Sequence, residues 1–487
     1  MKNLIILLLL FPLTGLKAQQ KTIAEKLFAN YENYKETSIK NRRFKHADIQ
    51  PLITSLKSDK DFQITDLGSS IEGRSISMIS IGKGKTNILL WSQMHGDEST
   101  ATMAIFDIFN YLKKNKAILQ NIKLHFIPML NPDGAERFTR RNAIGIDLNR
   151  DAVQLQSPEA VILKDVRDSL HADFGFNLHD QSKYYNAERT DKPATISYLA
   201  PAYNYEKTIN TTRANAMKII VEMNKIIQQY APGQVGRYSD DFEPRAFGDN
   251  IQKWGTSTIL IESGGYPNDP EKQFIRKLNY VSILAAIHAI STGTYKKTSI
   301  KEYEKIPRND RKLFDLKITN LKFPYLGRDY SVDLGIIQNE RENAKHTDFY
   351  YIGQIRDIGD LSTYYGYESL DAKGLKFKIG ETYPKILSDF EEFKKLDFKK
   401  LLQQGYTSVS IDSLPEEIKF IHYPVNIIDS RKIAIPKSNT IPKPPISFRK
   451  NPTFLLTKND KVVYAIINGF VYDLNKGENR VINGIVK

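Results

Sequence analysis

The stretch NILLWSQMHGDE, residues 87–98, is an apolar run followed by a histidine and a glutamate that two residues separate. Residues 87–91 have the composition of a buried strand, so His95 and Glu98 should lie at its carboxyl end. Imidazole and carboxylate are both good zinc ligands, and this spacing lets both side chains reach one ion. His-x-x-Glu also occurs by chance in surface loops. The pattern therefore predicts a metal site only if the chain supplies a third ligand.

The amino terminus has the pattern of a cleavable secretory signal peptide. Residues 1–18 combine a lysine at position 2, an apolar run over 4–11 and an alanine at 18. The apolar run is too short to span a membrane comfortably, and no later segment is longer and equally apolar. We therefore expect a secreted or periplasmic protein without a membrane span.

Composition excludes several kinds of site. The 487 residues contain no cysteine, which rules out cysteine zinc sites, thiol nucleophiles and a lipid anchor on an amino-terminal cysteine. Any metal must be held by His, Asp or Glu. The net charge is +14, but Lys and Arg are scattered and no basic run alternates with aromatic residues. Nucleic-acid binding is therefore not expected.

The order of predicted elements indicates two domains. Residues 21–294 alternate strand-like and helix-like segments, which predicts an α/β fold with a mixed, mostly parallel sheet between layers of helices. Residues 295–311 are rich in Lys and Glu and are predicted to be a linker. Residues 312–487 contain many short β-prone runs, so we expect a smaller β-rich accessory domain there, with a helix around 383–404.

Two further predicted strands end in ionisable residues. His179 follows the strand over 174–178, and Glu262 follows the strand over 256–261. Open α/β sheets build their sites at the carboxyl ends of their strands. His179 would complete a two-histidine, one-carboxylate site for one zinc ion, with water in the fourth position. Glu262 would accept the proton of that water and pass it to a leaving amine.

The segment RRNAIGIDLNR, residues 140–150, offers groups that bind anions. Asn149 and Arg150 can donate to a planar carboxylate, and the guanidinium can do so with two bonds. Arg141 could stabilise a developing oxyanion.

In order along the chain, these motifs resemble the zinc metallocarboxypeptidases of the carboxypeptidase A type. The motifs are His-x-x-Glu, Asn-Pro-Asp-Gly at 131–134, Arg-Asn-x-x-Gly-x-Asp-Leu-Asn-Arg at 141–150, a strand-ending His and a strand-ending Glu. The resemblance covers residues 21–294. It implies an α/β/α sandwich that holds one Zn²⁺ and hydrolyses the C-terminal bond of peptides with a free carboxylate.

The resemblance also implies a role for each matching residue. His95, Glu98 and His179 resemble the zinc ligands, and Glu262 resembles the general base. Arg141 resembles the arginine that contacts the transition state, with Arg140 as the alternative. Asn149 and Arg150 resemble the residues that bind the terminal carboxylate, and Asp147 resembles the acid that orients the first zinc histidine. The family also has a mobile tyrosine that covers bound substrate, and Tyr238 is the only tyrosine in residues 236–249.

Two other functions are compatible with the sequence. The same zinc site could serve an amidase that deacylates N-acyl amino acids or cleaves cell-wall peptides, which a substrate panel would distinguish. An inactive hydrolase fold with a β-rich recognition domain is the other alternative. The intact set of ligands and base argues against it, and failure to bind zinc would favour it.

Overall fold

The computed structural model describes residues 22–415, 418, 422–432, 444–476 and 484–487. The predicted signal peptide, residues 1–18, lies outside these residues. The helices of these residues are α1 Ile23–Ala29, α2 His46–Ser55, α3 Thr100–Lys114, α4 Pro132–Arg137, α5 Pro158–Leu170, α6 Thr211–Ile227, α7 Phe247–Lys253, α8 Gln273–Thr292, α9 Phe390–Lys394 and α10 Phe398–Gln404. Within the described residues, none of them is long and apolar enough to cross a membrane.

The strands divide between an α/β part and a β-rich part. The α/β part contains β1 Phe62–Ser69, β2 Ser75–Gly82, β3 Thr86–Ser92, β4 Ile122–Ile127, β5 Phe174–Asp180, β6 Asn186–Ala187, β7 Ile196–Leu199, β8 Val235–Arg237, β9 Ser257–Ser263 and β10 Asn309–Asp310. The β-rich part contains β11 Leu313–Tyr325, β12 Arg328–Glu342, β13 Phe349–Gly359, β14 Tyr365–Asp371, β15 Lys376–Lys378, β16 Glu381–Thr382, β17 Leu387–Asp389, β18 Tyr406–Ser413, β19 Asn426–Asp429, β20 Phe454–Lys458, β21 Lys461–Ile467 and β22 Phe470–Asp473.

An eight-stranded mixed sheet forms the centre of the α/β part. Its strand order is β1-β2-β4-β3-β5-β9-β7-β8. The central pairings β4–β3, β3–β5 and β5–β9 are parallel, whereas β1–β2, β2–β4 and β9–β7 are antiparallel. The carboxyl ends of β3, β5 and β9 therefore meet at one edge, which is where a site is expected.

Helices cover both faces of this sheet. The first face packs against α1, α2, α3, α6 and α8 in one apolar core. The second face packs against α5 and α7 in another. Side chains alternate between the faces along each strand, so Phe176 and Leu178 enter the first core. The α/β sandwich predicted from the sequence is confirmed.

The segment 295–311 was predicted as a linker, but it packs onto the α/β part. Tyr295 and Tyr303 are buried in the first core, and the backbone N–H of Ala200 donates to the hydroxyl of Tyr303 at 3.0 Å. Strand β10 pairs with β6. The Lys and Glu residues that suggested a linker cover the outside of a segment whose aromatic residues point inward.

Among the residues that the structure describes, three four-stranded sheets make up the β-rich part. They are β13-β12-β11-β14, β15-β20-β21-β22, and a third in which β16, β17 and β19 all pair with β18. The second sheet contributes Leu456 and Ile466 to a core shared with the first sheet, and Leu455 and Ile467 to a core shared with α9, α10 and the third sheet. The helix expected around 383–404 is broken: its beginning forms β17, and Lys395 to Asp397 separate α9 from α10.

Buried charges join the two parts. Arg42 donates to Glu340 at 2.8 Å and Arg43 donates to the same carboxylate at 2.6 Å. The guanidinium of Arg43 also lies 4.2 Å from the ring centres of both Phe138 and Phe349, one from each part. A guanidinium between two aromatic rings is stabilised by cation–π attraction to both.

Candidate functional site

Three buried side chains at the sheet edge form a group that could hold a metal ion. The ligand atoms of His95, Glu98 and His179 all lie within 4.8 Å of one another. Glu98 Oε1 is 2.8 Å from His95 Nδ1, and Glu98 Oε2 is 2.6 Å from His179 Nδ1. The structure thus brings together the three residues predicted as ligands.

The loop that carries His95 and Glu98 is held by close backbone packing. A side chain at Gly96 would lie 2.0 Å from the carbonyl carbon of Gly134, so neither position has room for a larger residue. Asn131 caps α4 by accepting from Gly134 N at 2.9 Å and donates to the Met94 carbonyl at 3.2 Å. The Asn-Pro-Asp-Gly motif therefore positions the loop that carries His95 and Glu98.

Asp147 orients the first histidine. Its Oδ1 is 3.1 Å from His95 Nε2, which leaves Nδ1 facing Glu98 and the site. Burial alone would lower the pKa of His95, but the carboxylates of Glu98 and Asp147 raise it to about 9. Burial alone would raise the pKa of Glu98, but His95 and His179 hold it well below its usual range.

Glu262 lies directly across from the third ligand. β5 and β9 are parallel, with His179 paired to Glu262, so both side chains project from the same face. Glu262 Oε2 is buried without a hydrogen-bond partner among the described atoms. Burial and the nearby charge of Glu98 raise the pKa of Glu262 well above its ordinary value. A buried carboxylate with a raised pKa, beside three residues that could bind a metal ion, is suited to accept a proton.

The structure places Arg140, and not Arg141, at the site. Arg140 Nη1 is 3.0 Å from His95 Nδ1 and donates to Glu98 Oε1 at 3.2 Å, while Nε donates to Asp147 Oδ2 at 3.0 Å. Arg141 is exposed and donates to the Gly145 carbonyl at 2.8 Å. The geometry therefore favours the alternative, Arg140, as the arginine that faces the predicted ligands, while Arg141 points away from them.

The two predicted carboxylate-binding residues lie beside α7. Asn149 Oδ1 accepts from Phe247 N at 3.0 Å, and Arg150 Nε is 3.3 Å from Glu243 Oε2. The Arg150 side chain is partly exposed, so it can reach a ligand in the site. Asp249, which the sequence did not single out, lies near Arg150, and burial raises its pKa to about 7.

Tyr238 faces the site from the strand β8 side. Its ring centre lies 6.0 Å from that of Tyr185 in an edge-to-face contact. Burial raises the pKa of Tyr238, and the nearby charge of Glu262 raises it further. The structure thus brings the only tyrosine of residues 236–249 within electrostatic reach of the candidate base.

Comparison with known proteins points to one family. Residues 55–160 match the family model of zinc carboxypeptidases, which spans His95, Glu98, Asp147, Asn149 and Arg150. The predicted resemblance to zinc carboxypeptidases is confirmed. His179 and Glu262 lie beyond the matched residues and are placed at the site by the fold alone.

Individual relatives are distant. Carboxypeptidase SOL1 of Arabidopsis thaliana is 25% identical over 221 residues, which are 37% of this chain and 45% of that protein. Carboxypeptidase D of Homo sapiens is 26% identical over 204 residues, which are 36% of this chain and 14% of that protein. A solved metallo-carboxypeptidase from Burkholderia cenocepacia has a TM-score of 0.42 and 17% identity, covering 52% of this chain and 70% of that one. The chain spans less than half the length of the curated relatives it matches.

The donor set of the carboxypeptidase-like site fits zinc. Two imidazole nitrogens and one carboxylate converge within a few ångströms, and the set is one that catalytic zinc uses with a fourth position open. Asp147 supplies the carboxylate–histidine contact that metal-binding histidines usually make. His95, Glu98 and His179 would therefore hold the ion.

Proposed function

We propose that this protein is a zinc-dependent carboxypeptidase that removes the C-terminal residue of peptides. The observation that carries the proposal is the buried His95–Glu98–His179 group with the partnerless carboxylate oxygen of Glu262 directly beside it. Export from the cytoplasm, which residues 1–18 predict, forms part of the same proposal.

Zinc in this position supplies Lewis-acid polarisation and lowers the pKa of water. Side chains of the protein transfer the proton and stabilise the developing negative charge. Glu262 accepts a proton from the attacking water and delivers it to the leaving amine. Arg140 donates to the substrate carbonyl oxygen as negative charge develops on it, because its guanidinium already faces the metal group.

The exopeptidase character rests on Asn149 and Arg150. Arg150 binds the terminal carboxylate with its guanidinium, and Asn149 fixes the turn by accepting from Phe247 N. Tyr238 covers the bound residue from the opposite wall. A substrate whose terminal carboxylate is amidated loses the charge that Arg150 binds, so its cleavage should be far slower.

The test compares peptides with free and amidated C-termini, with zinc present and after removal by a chelator. Mass spectrometry should show loss of one C-terminal residue from the free peptides only, and only with zinc. Equal cleavage of both forms would overturn the exopeptidase proposal. N-acyl amino acids in the same panel test the deacylase alternative, because they carry the carboxylate but lack a peptide chain.

A substitution at the base separates chemistry from metal binding. Glu262→Gln should abolish turnover while bound zinc, measured by elemental analysis, stays at one per chain. Glu302→Gln is the matched control, because Glu302 is an exposed glutamate that pairs with Lys305 away from the site. Activity retained by Glu262→Gln would remove Glu262 as the base.

A further inference from the structure

A cleft of about 1160 Å³ lies between the α/β part and the β-rich part. One wall consists of residues 181–184 and 264–272, which follow His179 and Glu262 in the chain. The facing wall comes from the strands β11, β12, β13, β14, β21 and β22. The volume exceeds that of most small-molecule sites, which is roughly 300–1,000 Å³, so the cleft can hold an extended segment of several residues.

The cleft adjoins the candidate metal group. Lys272 lines the cleft and donates to Asp180 Oδ2 at 3.0 Å and to the Ser263 carbonyl at 2.9 Å. The backbone N–H of Asp180 in turn donates to Glu98 Oε2 at 3.2 Å. Two hydrogen bonds therefore connect the cleft wall to a predicted zinc ligand.

The cleft and the carboxylate-binding residues lie on opposite sides of the sheet edge. Asn149 contacts Phe247, which packs on the second face of the sheet. Asp180 projects to the first face, where it accepts from Thr100 at the start of α3 and from Lys272. A peptide with its terminal carboxylate at Arg150 and its scissile bond at Glu262 would extend towards the cleft.

The chemistry of the cleft favours an uncharged segment. Its charged side chains are largely paired with one another: Lys183 donates to Asp315 at 2.7 Å and Arg42 donates to Glu340 at 2.8 Å. Aromatic side chains supply much of the remaining surface, and they are Tyr184, Tyr266, Tyr351, Tyr367, Tyr464 and Phe470. Aromatic rings give large contact areas to apolar groups and present hydroxyls to a peptide backbone. An anionic polymer would require unpaired cations instead.

We propose that the β-rich part completes an extended subsite, which binds a neutral, apolar or aromatic peptide segment on the amino-terminal side of the scissile bond. This inference rests on the proposed carboxypeptidase function. It assigns the β-rich part a role in the preference for longer substrates. The α/β part alone cannot provide this preference, because the β-rich part forms one wall of the cleft.

The test is a series of peptides that share one C-terminal dipeptide. The shortest is a blocked dipeptide, and longer members add neutral aromatic and aliphatic residues up to about six. Ordering several such residues in the cleft should raise kcat/KM about tenfold or more, mainly through a lower KM. No cleavage of any member would overturn the proposed function. Equal kcat/KM for all members would overturn the subsite and leave the function standing.

Substitutions in the cleft test whether its residues produce the preference for longer peptides. Ser369→Trp fills the cleft from an exposed position on β14 and should reduce the long-to-short ratio of kcat/KM to about one. Ser331→Trp places the same ring at an exposed serine on β12, outside the cleft, and should keep the full ratio. Tyr464→Ala, which removes a ring from the cleft wall, should lower the ratio as well.

Two outcomes would refute the assignment. An unchanged ratio in Ser369→Trp and Tyr464→Ala would show that the longer peptides bind elsewhere. The series also includes glycosylated members, and a gain in kcat/KM that only these show would mean that a glycan, and not a peptide segment, occupies the cleft. Thermal unfolding of each variant confirms that the comparison is made on folded protein.

Discussion

Replacing the two neighbouring arginines separately gives a sharp test of the site. Arg140 reaches His95, Glu98 and Asp147, whereas the side chain of Arg141 donates to the Gly145 carbonyl and, among the described residues, to no other group. Both side chains have the same chemistry and adjacent positions. We expect Arg140→Ala to lose most of the activity and Arg141→Ala to lose little, although the sequence pattern alone favoured Arg141.

The magnitude follows from what Arg140 does in each state. Removing one donor to a developing oxyanion costs roughly 2.7–4 kcal/mol, which corresponds to a loss of about 10²–10³ in kcat. The contribution of Arg140 to stability is smaller, because its side chain is 42% exposed and its ion pairs are screened. Exposed pairs contribute about 0–1 kcal/mol. Arg141→Ala should change stability by less than about 0.5 kcal/mol and activity by less than about twofold.

The assay measures kcat and KM on one peptide together with zinc content and urea unfolding for both variants. Arg140→Lys adds a control that keeps the charge but loses the planar fork, and it should recover only part of the rate. A larger loss of kcat in Arg141→Ala than in Arg140→Ala would refute the assignment. A parallel loss of zinc and activity in Arg140→Ala would show that the residue holds the ligands and does not act on the substrate.

Three further predictions concern the metal group and the core. Zinc must displace the proton on His95, whose pKa the Glu98 and Asp147 carboxylates raise to about 9 against the effect of burial. The affinity of the protein for zinc should therefore fall about tenfold for each pH unit below 9. A chelator competition from pH 6 to 9 measures this affinity, and an affinity that does not depend on pH would contradict the prediction. Asp147→Asn should weaken zinc binding about 10–100-fold in the same assay, whereas Asp329→Asn, on an exposed strand, should have no effect. Arg276→Met leaves the buried carboxylate of Asp107 with the hydrogen bonds from Tyr31 and Glu36 N but without its cationic partner, so urea unfolding should show a loss of about 3–5 kcal/mol, and an unchanged midpoint would refute the role of this pair.

The parts of the site that the sequence predicted are those fixed by the sheet. His95 follows β3, His179 and Glu262 lie at the carboxyl ends of β5 and β9, and these parallel strands end at one edge, so the proximity of the three residues follows from topology. Period-two alternation then puts His179 and Glu262 on the same face. Asp147 was predicted because its spacing from Asn149 and Arg150 matches the Asp-Leu-Asn-Arg part of the motif that resembles the zinc carboxypeptidases.

The parts that the sequence misplaced depend on contacts between distant residues. Choosing between Arg140 and Arg141 requires the direction of each side chain in a turn, and that direction depends on how the turn packs against His95 and Glu98. The segment 295–311 is polar in composition, but Tyr303 is only 1% exposed because it packs beneath Ala200, about a hundred residues earlier. Neither local propensity nor composition contains that information.

Distant contacts of the same kind join the β-rich part to segments that carry candidate site residues. Phe349 of β13 holds one side of Arg43, and Phe138, two residues before Arg140, holds the other. On the opposite side of the site, Asp315 accepts from Lys183, four residues after His179. The β-rich part therefore contacts the loop after α4, which carries the candidate oxyanion donor, and the loop after β5, the strand that contains the predicted third ligand. A chain ending at residue 294 would lose Tyr303 from its core and both of these contacts. The geometry of the candidate site therefore depends on the β-rich part as well as on the α/β part.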